Sequence, residues 1–71
     1  MNADKEAIRL RLRHLFGEVR GIHPNWRECM YCRTTILLVE SALNDKTTSA
    51  VELRRHEAAL KELYRDLNKA T

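Results

Sequence analysis

Residues 26–43, WRECMYCRTTILLVESAL, decide the fold. Placed at 100° per residue they are apolar on two faces rather than one. Cys29, Cys32, Ile36, Val39 and Leu43 make the first face. Trp26, Met30 and Leu37 make the second, with Thr34 and Ser41 alongside and Tyr31, Leu38 and Ala42 extending it. A thin strip of Arg33 and Glu40 separates the two. One neighbouring helix covers one face. The other calls for a further helix, a second copy of the chain or a partner.

Working outward, Asn25 followed by Glu28 predicts a capping box that starts helix 2, spanning residues 26–43. Asn44 is expected in a left-handed position after it. Residues 44–49 form a short turn, and Ser49 with Glu52 is a second capping box opening helix 3 over residues 50–68. Leu53, His56, Leu60, Leu63, Tyr64 and Leu67 form its apolar stripe, while Arg54, Arg55, Glu57, Lys61, Glu62, Arg65 and Asp66 are expected to face water. So short a turn predicts an antiparallel hairpin. Its register sets Leu43 against Leu53, Val39 against His56, Ile36 against Leu60, Cys32 against Tyr64 and Cys29 against Leu67.

Upstream, helix 1 is expected over residues 3–20 and a Gly/Pro loop over residues 21–25. Gly21 followed by Ile22 suits a Schellman ending folded back on Phe16. Gly17 inside the helix weakens it by roughly 1 kcal/mol relative to Ala. Ile8, Leu12, Leu15, Phe16 and Val19 are its apolar stripe, and Leu10 points the opposite way. The predicted fold is therefore all-α: a basic N-terminal helix and a long antiparallel helical hairpin, dimerising into a bundle.

The chain has 71 residues, enough for one domain. A core of this size seldom supplies more than about 3–5 kcal/mol, so oligomerisation is the expected supplement. The net charge of +3 lies wholly in residues 1–33, which hold seven basic groups against four acids. The opening residues lack a basic, then apolar, leader pattern, and the longest apolar run is Ile36-Leu37-Leu38-Val39. A complete small cytoplasmic gene product with reduced thiols is expected, without membrane association.

Cys29-Met30-Tyr31-Cys32 is the one pattern with chemical precedent. A redox pair needs its first cysteine at a helix N-terminus, and a cap at Asn25 sets Cys29 a full turn inside. Zinc needs two further ligands, for which His23 and His14 are the nearest candidates, as His56 lies roughly 10 Å away along the helix. Both cysteines are read as core thiols with no metal or cofactor. His56 is read as a half-buried neutral side chain. No nucleophile sits beside a base, no phosphate loop occurs, and Glu52-Leu53-Arg54-Arg55-His56 has the wrong spacing for a bundle metal site. No enzyme is expected.

Arg9, Arg13 and Arg20 fall on one edge of helix 1, with Leu10 exposed nearby. Trp26 either plugs the junction between helices 1 and 2 or joins Tyr31 as a contact residue. The expected function is a small protein–protein interaction module: a regulator, adaptor or inhibitor of phage or mobile-element type, homodimeric, binding a larger protein of acidic or mixed surface. Its expected contact residues are Arg9, Leu10, Arg13, Arg20, Trp26 and Tyr31. The alternatives are a nucleic-acid-binding dimer using helix 1 and a zinc-stapled module.

Overall fold

The computed structural model describes residues 2–22 and 25–70. Apart from short connections the described chain is helical: α1 (Asn2–Ile22), α2 (Met30–Asn44) and α3 (Ala50–Ala70), with a 3-10 turn at Trp26–Glu28. It measures 38 × 18 × 16 Å. The long axis is only slightly more than the roughly 32 Å expected of a 21-residue helix.

The three stripes meet in one core. Ile8, Leu12 and Val19 of α1 join Cys32, Ile36, Val39 and Leu43 of α2 and Leu53, Leu60 and Leu63 of α3. Trp26 completes the cluster from the 3-10 turn. Leu15, Phe16, Tyr64 and Leu67 pack around its edges. α3 packs more extensively on α1 than on α2. Glu57 shows the consequence. Expected in water, it is buried and takes two hydrogen bonds from Arg11, at 3.0 and 3.4 Å. Its position is the flank of the α3 stripe, which is solvent in a two-helix pairing and interface once α1 is added.

α1 extends beyond its expected end. Gly21 is helical and Ile22 is the last residue, with no positive-φ glycine among the described residues. Nothing lies within 4 Å of a Cβ built on Gly17 or Gly21, so neither glycine is there to admit a neighbour. Asn44 likewise stays helical. Asp45 ends α2 in an extended conformation, donating its N–H to the Ala42 carbonyl. Its carboxylate then organises the turn, accepting from the Thr47 N–H at 2.9 Å and the Thr47 hydroxyl at 2.6 Å. Those two bonds hold the Asp45 carboxyl below its ordinary range. Thr48 is buried and donates its hydroxyl back to the Ala42 carbonyl. An Asx-type turn replaces the left-handed cap. At the start of α3, the Glu52 N–H donates to the Ser49 hydroxyl at 3.2 Å, as a serine cap should.

The start of α2 departs most from expectation. The Asn25 side chain makes no cap bond. Glu28 N–H to Asn25 O and Cys29 N–H to Trp26 O close a tight 3-10 turn instead. Cys29 is then extended, at φ −93° and ψ 114°, and itself caps α2. Trp26 supplies the reason. In a continuous helix it would point roughly 110° away from the Ile36–Val39 direction, onto the outer face. Breaking the helix at Cys29 lets the indole turn inward, where it is 6% exposed. Burying a tryptophan stabilises by several kcal/mol, and the 3-10 turn keeps two backbone hydrogen bonds, so the break forfeits little.

Candidate functional site

The expected contact residues separate into two kinds. Arg9 is withdrawn from the surface, 9% exposed, because Nη1 donates to the Leu43 carbonyl at 2.6 Å and Nη2 to the Asp45 carbonyl at 3.3 Å. Its cation sits on the carbonyl end of α2, where the helix dipole favours positive charge. Lys5 reinforces it by donating to the Lys46 carbonyl. Arg9 therefore ties α1 to α2 rather than joining an exposed basic edge. Arg20 lies over the rings of Phe16 and Trp26, 5.4 and 5.6 Å from their centroids, and Arg27 covers Trp26 at 4.9 Å. Trp26 is the plug at this junction, roofed by two guanidinium groups. Arg13, Leu10 and Tyr31 remain exposed, Leu10 at 64%.

Tyr31 belongs to a larger surface. Met30, Tyr31, Leu37 and Leu38, all on the outer side of α2, are between 47% and 71% exposed. Thr34 and Ser41 lie among them, also exposed. The Thr34 hydroxyl is spent on the Met30 carbonyl at 2.9 Å, which leaves its methyl for contact. Arg33 and Glu40 are the helix's sole charges, and both lie on one margin of this face. α1 does not cover it. The apolar stripe of α1 goes into the shared core instead, so the second face remains open.

Beside α1 a shallow cleft of about 490 Å³ is lined by Lys5, Arg9, Arg13 and Lys46, with Glu6, Leu43 and Asn44. Four basic groups against one acid make it electropositive. This is the basic bias of residues 1–33 given a shape, with Lys46 added from the turn.

The thiols form a third locus. The Cys29 sulfur accepts from the Cys32 N–H at 3.4 Å. A hydrogen bond from the Cys32 thiol, aided by that N–H and the N–H of Tyr31, holds the Cys29 thiol below its ordinary range. Burial, together with the bond to Cys29 and its charge, pushes Cys32 up to about 11. The placement of Cys29 a full turn inside α2 is thus corrected: it stands at the helix N-terminus. The available signal was the helical phase of Trp26, which sets a large aromatic on the wrong side of an unbroken helix. Among the described residues no three metal-ligating side chains come together. His23, the third ligand considered, lies outside the described residues. No described helix is long and apolar enough to cross a membrane.

Comparison with protein families, curated proteins and solved structures returned no match.

Proposed function

We propose that the chain is a non-enzymatic, cytoplasmic protein–protein interaction module that works as a homodimer. In this reading α2 and α3 form an antiparallel hairpin, α1 completes each protomer's core, and two copies join through the outer face of α2. The observation that carries it is that face: four large apolar side chains held in solvent on a helix whose only charges stand at one margin. Clustered exposed apolar residues of this kind mark contact surfaces, and Met and Tyr are enriched in interface cores.

The pattern favours a second copy as the occupant. Met30, Thr34, Leu37 and Ser41 are spaced four, three and four residues apart, the spacing of a coiled-coil seam. A two-fold axis between antiparallel α2 helices sets Met30 opposite Ser41 and Leu37 opposite Thr34, large against small in every layer. The same register brings Arg33 of one copy to Glu40 of the other, twice, and Tyr31 to Leu38, twice. An isologous interface requires this self-complementarity. A parallel pairing would instead stack Thr34 on Thr34 and Ser41 on Ser41 and set the Arg33–Glu40 margin of each copy against the Tyr31–Leu38 margin of the other, leaving the charges unmatched. Charge exchange is the test. Arg33→Glu and Glu40→Arg are each expected to weaken dimerisation, and the double exchange to restore it. Failure of the double exchange to recover dimer would reject this register.

The basic cleft favours an acidic segment of a larger protein as the module's second partner, and this is where a regulatory or adaptor role would be exercised. Arg13 and Lys46 can be reversed to Glu without touching the core, and doing so is expected to weaken that association and flatten its salt dependence. A nucleic acid recovered in place of a protein, with affinity lost alike for every sequence, would favour the phosphate-binding reading.

A further inference from the structure

We propose that Cys29 and Cys32 form a reversible dithiol/disulfide site in which Cys29 attacks a low-molecular-weight disulfide and Cys32 resolves the product. The inference is independent of dimerisation. Three geometric facts carry it. First, the break before α2 frees Cys29 from helical geometry. Within a continuous helix, residues three apart hold their Cβ atoms about 5–6 Å apart, beyond the roughly 3.5–4.5 Å a disulfide needs. At φ −93° and ψ 114° Cys29 is extended, and its sulfur is already turned onto the first turn of α2, 3.4 Å from the Cys32 nitrogen. Second, Cys29 is the cap of α2 and Cys32 lies in its first turn, so the pair occupies one short segment and the bond would link no separate helices. Third, access is unequal: Cys29 is partly exposed and Cys32 is buried, 2% exposed. An outside reagent meets Cys29 first.

The chemistry balances in two exchanges. The Cys29 thiolate attacks one sulfur of RSSR, breaking its S–S bond, forming Cys29–S–S–R and releasing RS⁻. Cys32 gives up its proton to solvent and attacks the Cys29 sulfur, forming the Cys29–Cys32 bond and releasing a second RS⁻. The protein loses two electrons and two protons, and RSSR becomes two RSH. Backbone N–H donors at a helix start favour the thiolate that begins the sequence, in keeping with the lowered thiol of Cys29. Burial keeps Cys32 protonated until the mixed disulfide lies beside it. A pair of inert core thiols would share neither the partly exposed capping position nor this division between an accessible and a buried sulfur.

The test uses the full chain and oxidised glutathione. The unaltered protein is expected to lose two hydrogens by intact mass and carry no adduct, and to recover both thiols with reduced glutathione. Cys32→Ser should trap one glutathione on Cys29. Cys29→Ser, which leaves only the buried thiol, should react at least about tenfold more slowly. Because either substitution could disturb the cap, the unaltered protein is also treated with limiting iodoacetamide and mapped by peptide mass. Cys29 should be alkylated ahead of Cys32 by about tenfold or more, with a pH midpoint below the ordinary thiol value of about 8.5. A stable adduct on the unaltered protein, disulfide-linked pairs of chains as the main product, or equal alkylation of the two cysteines would each overturn the proposal.

Discussion

Arg9→Met removes the tie between α1 and the end of α2 while keeping most of the aliphatic stem that packs there. The short bond from Nη1 to the Leu43 carbonyl, 2.6 Å, is charge-assisted and buried. Hydrogen bonds to charged groups contribute about 1.5–3 kcal/mol each. The bond to the Asp45 carbonyl is longer, 3.3 Å and only part-buried, and adds less. A cation at a partly buried helix C-terminus is worth up to about 2 kcal/mol, but that overlaps the same contacts and is not added again. The expected loss is about 2–3 kcal/mol. For a domain of this size each kcal/mol moves the Tm by about 4–8 °C, so the melting point should fall by about 8–24 °C. Arg9→Lys keeps the charge but not the two-pronged geometry and should fall between. Arg13→Met, its exposed neighbour one turn on, should stay within about 0.5 kcal/mol of the parent. Thermal melts followed by circular dichroism at one fixed protein concentration make the comparison. Arg9→Met melting with Arg13→Met, within a degree or two of the parent, would refute Arg9 as a structural tie and return it to the surface edge.

Leu60, with no exposed surface, lies in the shared core, and Leu60→Ala should cost about 2–5 kcal/mol, read as loss of the cooperative helical melt. Gly17→Ala meets no neighbour within 4 Å and should stabilise by about 0.5–1 kcal/mol; a lower Tm would contradict that open space. Arg11 holds the Glu57 carboxyl below its ordinary value of 4.5, chiefly by hydrogen bonding. A depressed carboxyl contributes stability above its unfolded pKa and loses it as pH falls through the folded value. Glu57→Gln should therefore be less stable than the parent at pH 7, by about 0.5–1.5 kcal/mol given the exposure of Arg11, and this gap should start to shrink as pH falls past the ordinary value of 4.5 and vanish below the lowered folded value. Equal stability of the two proteins at pH 7 would leave the pair without a role.

The helical periodicity of Leu53, Leu60 and Leu63, and of Ile36, Val39 and Leu43, was legible because burial follows phase directly. The helix ends were less so. Asn25, Gly21 and Asn44 each carry a valid cap signal, yet none is used as a cap. Local capping bonds contribute about 1 kcal/mol, and the burial of Trp26 outweighs that at one end. The Asp45 carboxylate satisfies the turn at another. Arg9 and Glu57 were misread for a different reason. A charged residue on the flank of a stripe is solvated or buried according to where a third element lies, and periodicity within one helix carries no such information. The open face of α2 was legible as a second apolar stripe. That α1 would enter the common core and leave it uncovered was not.

Sedimentation equilibrium across the micromolar range tests the central claim most directly. The unaltered chain is expected to give the mass of two copies, and Leu37→Lys with Leu38→Lys, which places charge on the outer face of α2, the mass of one with its helical spectrum intact. A single-chain mass for the unaltered protein throughout that range would contradict the account.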